Sequence, residues 1–335
     1  MNASHTLEHL SENLWLKYFQ TVEEMVSLKI VYIVLMLIIF FAGMVGNMVT
    51  CVVIYYDRSM HNVTNYYLFN LAVSDLVALL TILLEVAYYS GKIPIPTDVL
   101  GNAVCKMETF MLGVLWNNSI LIITALAVER YVAVVHPLAV KRRRVRRRVA
   151  RVMAAAWSVA VLETLPDVFF VKMLYTRFGP VCFVTLSWYN QVLSAAAAFC
   201  NFLVPLAIML YVYIVIALTV NASYHTTDED NIFNQLNYKK KINKLIMALT
   251  LSFLACWLPY FSLRVVYALG DPRMLIGLAQ HWQVWYVVVS LGAWFSSMLN
   301  PLLFSLMSTK FRKALKNLWY TKLLRRNLER EPVWL

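Results

Sequence analysis

Charge is what this sequence has least of. Only 14% of its 335 residues are Asp, Glu, Lys or Arg, against about a quarter in an ordinary soluble domain. With 61% hydrophobic residues and a mean hydropathy of +0.63, the chain leaves little room for a separate soluble domain. Acid is scarcer still: 18 acidic residues face 30 basic ones, a net charge of +12. Such an excess can signal nucleic-acid binding. Here the basic residues gather in short inter-segment stretches and the tail, which positive-inside sorting and anionic inner-leaflet lipid explain without a nucleic-acid partner. No cleavable leader is expected either. Met1 to Glu24 is polar and mixed in charge, so the first apolar segment is expected to direct insertion itself. The six histidines, His5, His9, His61, His136, His225 and His281, lie at segment ends or in loops. No nucleophile with a base, and no metal-ligand set, is therefore expected at bilayer depth, which argues against an intramembrane hydrolase or any other enzyme. The absence of an internal repeat, with Asp75 alone charged near the midplane, argues against a transporter.

What is present is a series of seven apolar runs at about 28–56, 64–89, 102–136, 148–171, 188–220, 240–269 and 279–306. Each is near the twenty or so residues that a spanning helix needs. An odd number with the N-terminus outside puts the C-terminus inside, and the charges agree. Lys141, Arg142, Arg143, Arg144, Arg146, Arg147, Arg148 and Arg151 contain no acid between them, and Lys239 to Lys244 and the tail from Lys310 to Arg330 are basic too. After the last run, Phe311, Leu315, Leu318 and Trp319 recur at helical spacing among Lys310, Arg312, Lys313 and Lys316. The expected fold is an all-α membrane protein: a seven-transmembrane helix bundle with a C-terminal amphipathic helix on the inner leaflet. It divides into an extracellular segment 1–27, a bundle 28–306 and a helix with cytoplasmic tail 307–335. Asn2-Ala3-Ser4 is then an outside glycosylation acceptor at Asn2. Of the five cysteines, Cys51, Cys200 and Cys256 fall inside helices, leaving Cys105 and Cys182 on the oxidising side as an expected disulfide.

Every segment carries a distinctive polar or proline element. They are Gly46-Asn47, Leu71-Ala72-Val73-Ser74-Asp75, Glu129-Arg130-Tyr131, Trp157, Pro205, Cys256-Trp257-Leu258-Pro259 and Asn300-Pro301. Ionisable groups at membrane depth are costly and need a partner or water. Prolines inside spanning helices are either static kinks or hinges. In this order the motifs resemble the rhodopsin-type (class A) G-protein-coupled receptors over about residues 28 to 320, which implies a multi-pass plasma-membrane protein with its N-terminus outside.

The resemblance implies roles residue by residue. Arg130 matches the inner-face arginine, held by Glu129 when idle and turning toward Tyr213 and a heterotrimeric G protein on activation. Asp75, Ser119, Ser296 and Asn300 match the sites around an allosteric sodium ion, the only small ligand implied besides the agonist; no cofactor is expected. Ile120, Pro205 and Phe253 match the connector beneath the ligand pocket, and Trp257 the toggle above it, with Pro259 as hinge. The segment-seven motif ends in Phe304 where the family usually has tyrosine. The loss of that hydroxyl is expected to alter basal activity or the active-state lock.

Leu112 stands where amine receptors carry an aspartate, which argues against amines, and Trp294 where visual pigments carry a lysine, which excludes retinal as far as sequence can. The remaining pocket candidates are Glu85, Glu108, Thr109, Leu112, Glu163, Asn201, Tyr260, Phe261, Arg264, Trp282, Trp285, Tyr286 and Ser290. Glu85 and Arg264 in one cavity suit a ligand bearing both charges, as a peptide does, unless they pair with each other or face water. Thr64 to Leu76, Glu85 and Val128 to Pro137 look most like the neuromedin U and pyrokinin receptors, although Gly113 replaces a second glutamate typical of that branch. The resemblance implies a peptide-activated receptor promoting GDP/GTP exchange through phospholipase C and calcium, with membrane lipid and arrestin as further partners. A lipid, another small non-amine ligand, or an orphan receptor of this class is the alternative.

Overall fold

The computed structural model describes residues 26–90, 99–136, 145–176, 179–184, 187–224, 229–270 and 281–328. Where the side chains are apolar, the backbone has no water to turn to, so each run closes its hydrogen bonds internally as a helix. The helices are α1 (Val26–Tyr56), α2 (Val63–Tyr89), α3 (Val99–Val135) and α4 (Val145–Thr164). Then α5 runs as Trp188–Ala198, a π-turn Phe199–Leu203 and Val204–Tyr224, followed by α6 (Glu229–Leu269), α7 (Trp282–Met307) and α8 (Thr309–Leu328). Seven of these are long and apolar enough to cross a membrane: Ser27–Tyr56, Val63–Ala87, Leu100–Val135, Arg146–Phe170, Trp188–Thr219, Met247–Leu269 and Val284–Leu306. Several of the threonine and serine hydroxyls they carry are absorbed by their own helices. Thr50 donates to the Gly46 carbonyl at 2.9 Å, and Thr124 to that of Ile120 at 2.8 Å.

Large apolar side chains also cover the outside of the bundle. Ile38, Phe41, Leu162, Leu218 and Leu251 are each more than half exposed. An apolar surface of that extent marks a face meant for lipid. Inside, Tyr32, Met36, Leu79, Ile82, Leu115 and Trp294 form one buried cluster, while Tyr67, Leu71, Ile120, Leu126, Met209, Phe253, Trp257 and Phe304 belong to a second. A third cluster seats Phe311 and Ala314 of α8 on Val53 of α1 and Met60, leaving Leu315 and Trp319 exposed. Close helix approach depends on glycine at several places, Gly46 and Gly292 among them. A Cβ on Gly46 would come within 2.9 Å of Pro301, and one on Gly292 within 2.7 Å of the Cys256 carbonyl oxygen.

Two features depart from the expected architecture. The segment after α4 is a β-hairpin rather than plain loop, with β1 (Val171–Thr176) antiparallel to β2 (Gly179–Val184) and Met173 opposite Cys182. It is tied to the start of α3 twice, by the Cys105–Cys182 disulfide and by the Met173 amide donating to Asn102 Oδ1 at 2.8 Å. Helix α6 begins at Glu229 instead of near 240, ahead of the apolar run that opens its membrane span at Met247. Asn2, most of the basic stretch 137–151 and the start expected for the seventh segment at 279 lie outside the described residues.

Candidate functional site

At the disulfide end of the bundle, Glu85 near the end of α2 is enclosed by donors from two other helices. The Tyr32 hydroxyl of α1 donates to Oε1, the Tyr286 hydroxyl of α7 donates to the same oxygen at 2.7 Å, and the Trp294 indole donates to Oε2 at 3.0 Å. Carboxylate hydrogen bonds of this kind are roughly twice as strong as neutral ones. Glu108 of α3 lies within electrostatic reach of Glu85, so two acids converge on one side of this end. On the other side, the Arg264 guanidinium of α6 donates to Asp167 Oδ2 at 2.7 Å and to the Tyr260 hydroxyl at 3.1 Å. Glu85 and Arg264 therefore do not serve each other; each has its own partners. Asp167 escaped the sequence reading because it belongs to a 3-10 turn, Leu165–Phe170, after Pro166 has ended α4, where no helical register assigns it a face.

Between these charged groups lies a floor of aromatic rings. Trp116 of α3 packs edge-on against Trp294 at 5.5 Å, Trp257 at 5.9 Å and Tyr260 at 6.2 Å between ring centroids. Phe261 and Phe253 then stack on Phe202 of α5 at 5.2 and 5.6 Å. Trp116 and Phe202 were missed because an aromatic residue in an apolar run gives no sign of which way it faces. Contact thus runs from Glu85 through Trp294 and Trp116 to Trp257, which shares a buried cluster with Ile120 and Phe253; Pro205 is buried too. Asn201, carried inward by the π-turn, donates to Asn117 Oδ1 at 3.4 Å, and Glu163 lies beside it. Thr109, Leu112 and Ser290 are half-buried, Trp285 is exposed, and the Trp282 side chain lies outside the described residues. Gly113 has a local cause: a Cβ there would meet Thr164 Cγ2 at 2.5 Å, so α4 packs too closely for a glutamate.

Halfway along the bundle, the Asn300 amide donates to Asp75 Oδ2 at 2.9 Å. The serine beside Asp75 is Ser297, which is buried. Ser296 instead turns its hydroxyl into its own helix, donating to the Ala293 carbonyl at 2.7 Å, because it lies one residue, about 100° of helix, away from the inward face. Asn118 donates to Ser74 at 3.3 Å, which holds α3 against α2 at the level of Asp75 and the buried Ser119.

At the other end, Glu129 is paired with Arg148 of α4, Nη2 to Oε2 at 2.6 Å, and the Tyr67 hydroxyl donates to its second oxygen at 3.5 Å. Beside the expected Arg130, Arg148 from a facing helix is a partner of Glu129 that the sequence did not reveal. Tyr131 packs against Tyr211 at 6.2 Å, Tyr213 joins the rim of the larger cluster, and Phe304 is buried. Pro259 and Pro301 lie inside α6 and α7.

The family described as "7 transmembrane receptor (rhodopsin family)" matches residues 46–304. The chain is 32% identical over 290 residues to human Neuromedin-U receptor 2, covering 83% of this chain and 69% of that protein. It is 33% identical over 304 residues to human Neuromedin-U receptor 1, covering 83% and 70%. To the Pyrokinin-1 receptor of Drosophila melanogaster it is 26% identical over 341 residues, covering 85% and 78%.

Proposed function

The chain belongs to the rhodopsin family of seven-transmembrane receptors, which are not enzymes, and from that premise we propose that it is a plasma-membrane receptor for a neuropeptide or peptide hormone. Agonist binding at the disulfide end, facing outside with the N-terminus, promotes GDP/GTP exchange on a heterotrimeric G protein at the arginine end and signals through phospholipase C and calcium. The observation that carries the reading is the separation of charge at the disulfide end. Two acids, Glu85 and Glu108, are set apart from the Arg264–Asp167 pair with an aromatic floor between them. That arrangement suits a ligand with a cationic side chain and a second polar group at a distance from it. The names of the relatives, neuromedin-U and pyrokinin receptors, favour a peptide over a lipid.

In this reading the agonist's cation takes over Glu85 from its tyrosine and tryptophan donors. Release of Trp294 frees Trp116 and then Trp257, so the aromatic floor repacks and α6 swings about Pro259. The groove that opens at the arginine end receives a helix of the G protein. The Asp75 carboxylate with its neighbours Ser297 and Asn300, joined by the buried Ser119 on α3, would supply oxygen ligands for a sodium ion favouring the idle bundle. The test is direct. Neuromedin-U applied to cells expressing the chain should release calcium, and Glu85→Gln should weaken its potency by tenfold or more, about 1.4 kcal/mol. Unchanged potency in the variant would remove Glu85 from the pocket; silence toward peptides with a response to lipid would favour the alternative.

A further inference from the structure

The carboxylate of the Glu129-Arg130-Tyr131 motif is paired with a guanidinium from another element, Arg148 at the foot of α4, while Arg130 is its neighbour in sequence on α3. The Arg148 contact is short and charge-assisted, 2.6 Å from Nη2 to Oε2, and Glu129 is largely shielded, its side chain only 14% exposed against 35% for Arg148. The Tyr67 hydroxyl, from α2, adds a longer bond at 3.5 Å. Removing the partner of a shielded charge is costly because the remaining charge is neither solvated nor paired. If Glu129 depended on Arg130 alone, every turn of Arg130 toward a G protein would leave such a charge behind.

We propose that Arg148 is a positioning residue for coupling: it keeps Glu129 paired in both states of the bundle and so lowers the cost of releasing Arg130. Arg148 is not a lock on the idle state, in this account, but the substitute partner that makes leaving it affordable. The sign of its effect is therefore opposite to that of a restraint. With Arg148 gone, Glu129 has one guanidinium left to bind, and Arg130 is held back.

This inference rests on the proposed coupling to a G protein, and the experiment separates the two. Agonist-independent GTPγS loading of purified heterotrimeric G protein is measured with the full chain in lipid vesicles, normalised to inserted receptor. Loading by the unaltered chain above empty vesicles tests the coupling itself. Arg148→Ala should lower that loading about tenfold, Arg148→Lys should retain most of it, and Arg148→Ala combined with Glu129→Gln should recover it, since the uncharged amide no longer holds Arg130. A fold defect would lower all three variants and their thermal stability together, and the rescue by the double substitution could not occur. Higher loading by Arg148→Ala, or no recovery in the double variant, would overturn the proposal. If the unaltered chain loads no G protein even with neuromedin-U added, the reading of function fails instead.

Discussion

Asp75 is buried at the middle of the bundle with Asn300 as its nearest donor, 2.9 Å away. A carboxylate in that position was plain in the sequence, since an acid in an apolar run must face protein or water. Which serine accompanies it was not: Ser296 and Ser297 are adjacent and chemically equal, and only the rotation of α7 decides that Ser297 faces inward. The same limit applied to Glu129 and Arg264. Their charges were legible, but the partners, Arg148 and Asp167, come from another helix and a 3-10 turn, and pattern along one segment carries no information across segments. If sodium binds near Asp75, raising NaCl at constant ionic strength should raise the melting temperature of the purified chain, as any ligand of the folded state does. Asp75→Asn should abolish the increment. An increment that survives the substitution would place the ion elsewhere.

Elements were easier to read than partners. The seven spans follow from apolar runs whose length is set by the bilayer, and expected and observed limits agree within a few residues except at the start of α6 and at the expected start of α7, which lies outside the described residues. The hairpin β1–β2 was not legible because short strands in a loop of mixed composition leave little periodic signal, while the disulfide that anchors it was. How closely two helices approach was also hidden, and one glycine tests it. Gly292→Ala places a methyl group 2.7 Å from the Cys256 carbonyl, a backbone atom that cannot rotate away, so α6 and α7 must separate slightly beside Trp257. Overpacking of this kind costs about 1–3 kcal/mol. Thermal unfolding in detergent should show a melting temperature several degrees lower; an unchanged value would mean that the two helices are not so close.

For the whole molecule, the two ends communicate only if each ligand favours the same arrangement of helices. Agonist and G protein must then raise each other's affinity by the same factor. The contacts from Glu85 through Trp294 and Trp116 to Trp257 supply the first part of one physical route, and Arg130 lies further along α3 from Trp116. The most direct test joins the ends in one measurement: neuromedin-U-stimulated GTPγS loading on a purified G protein, run alongside radiolabelled peptide binding, for the unaltered chain and for Arg130→Ala. The account predicts that the substitution removes stimulated loading while peptide binding survives without its enhancement by G protein. Stimulated loading that persists in Arg130→Ala would contradict it.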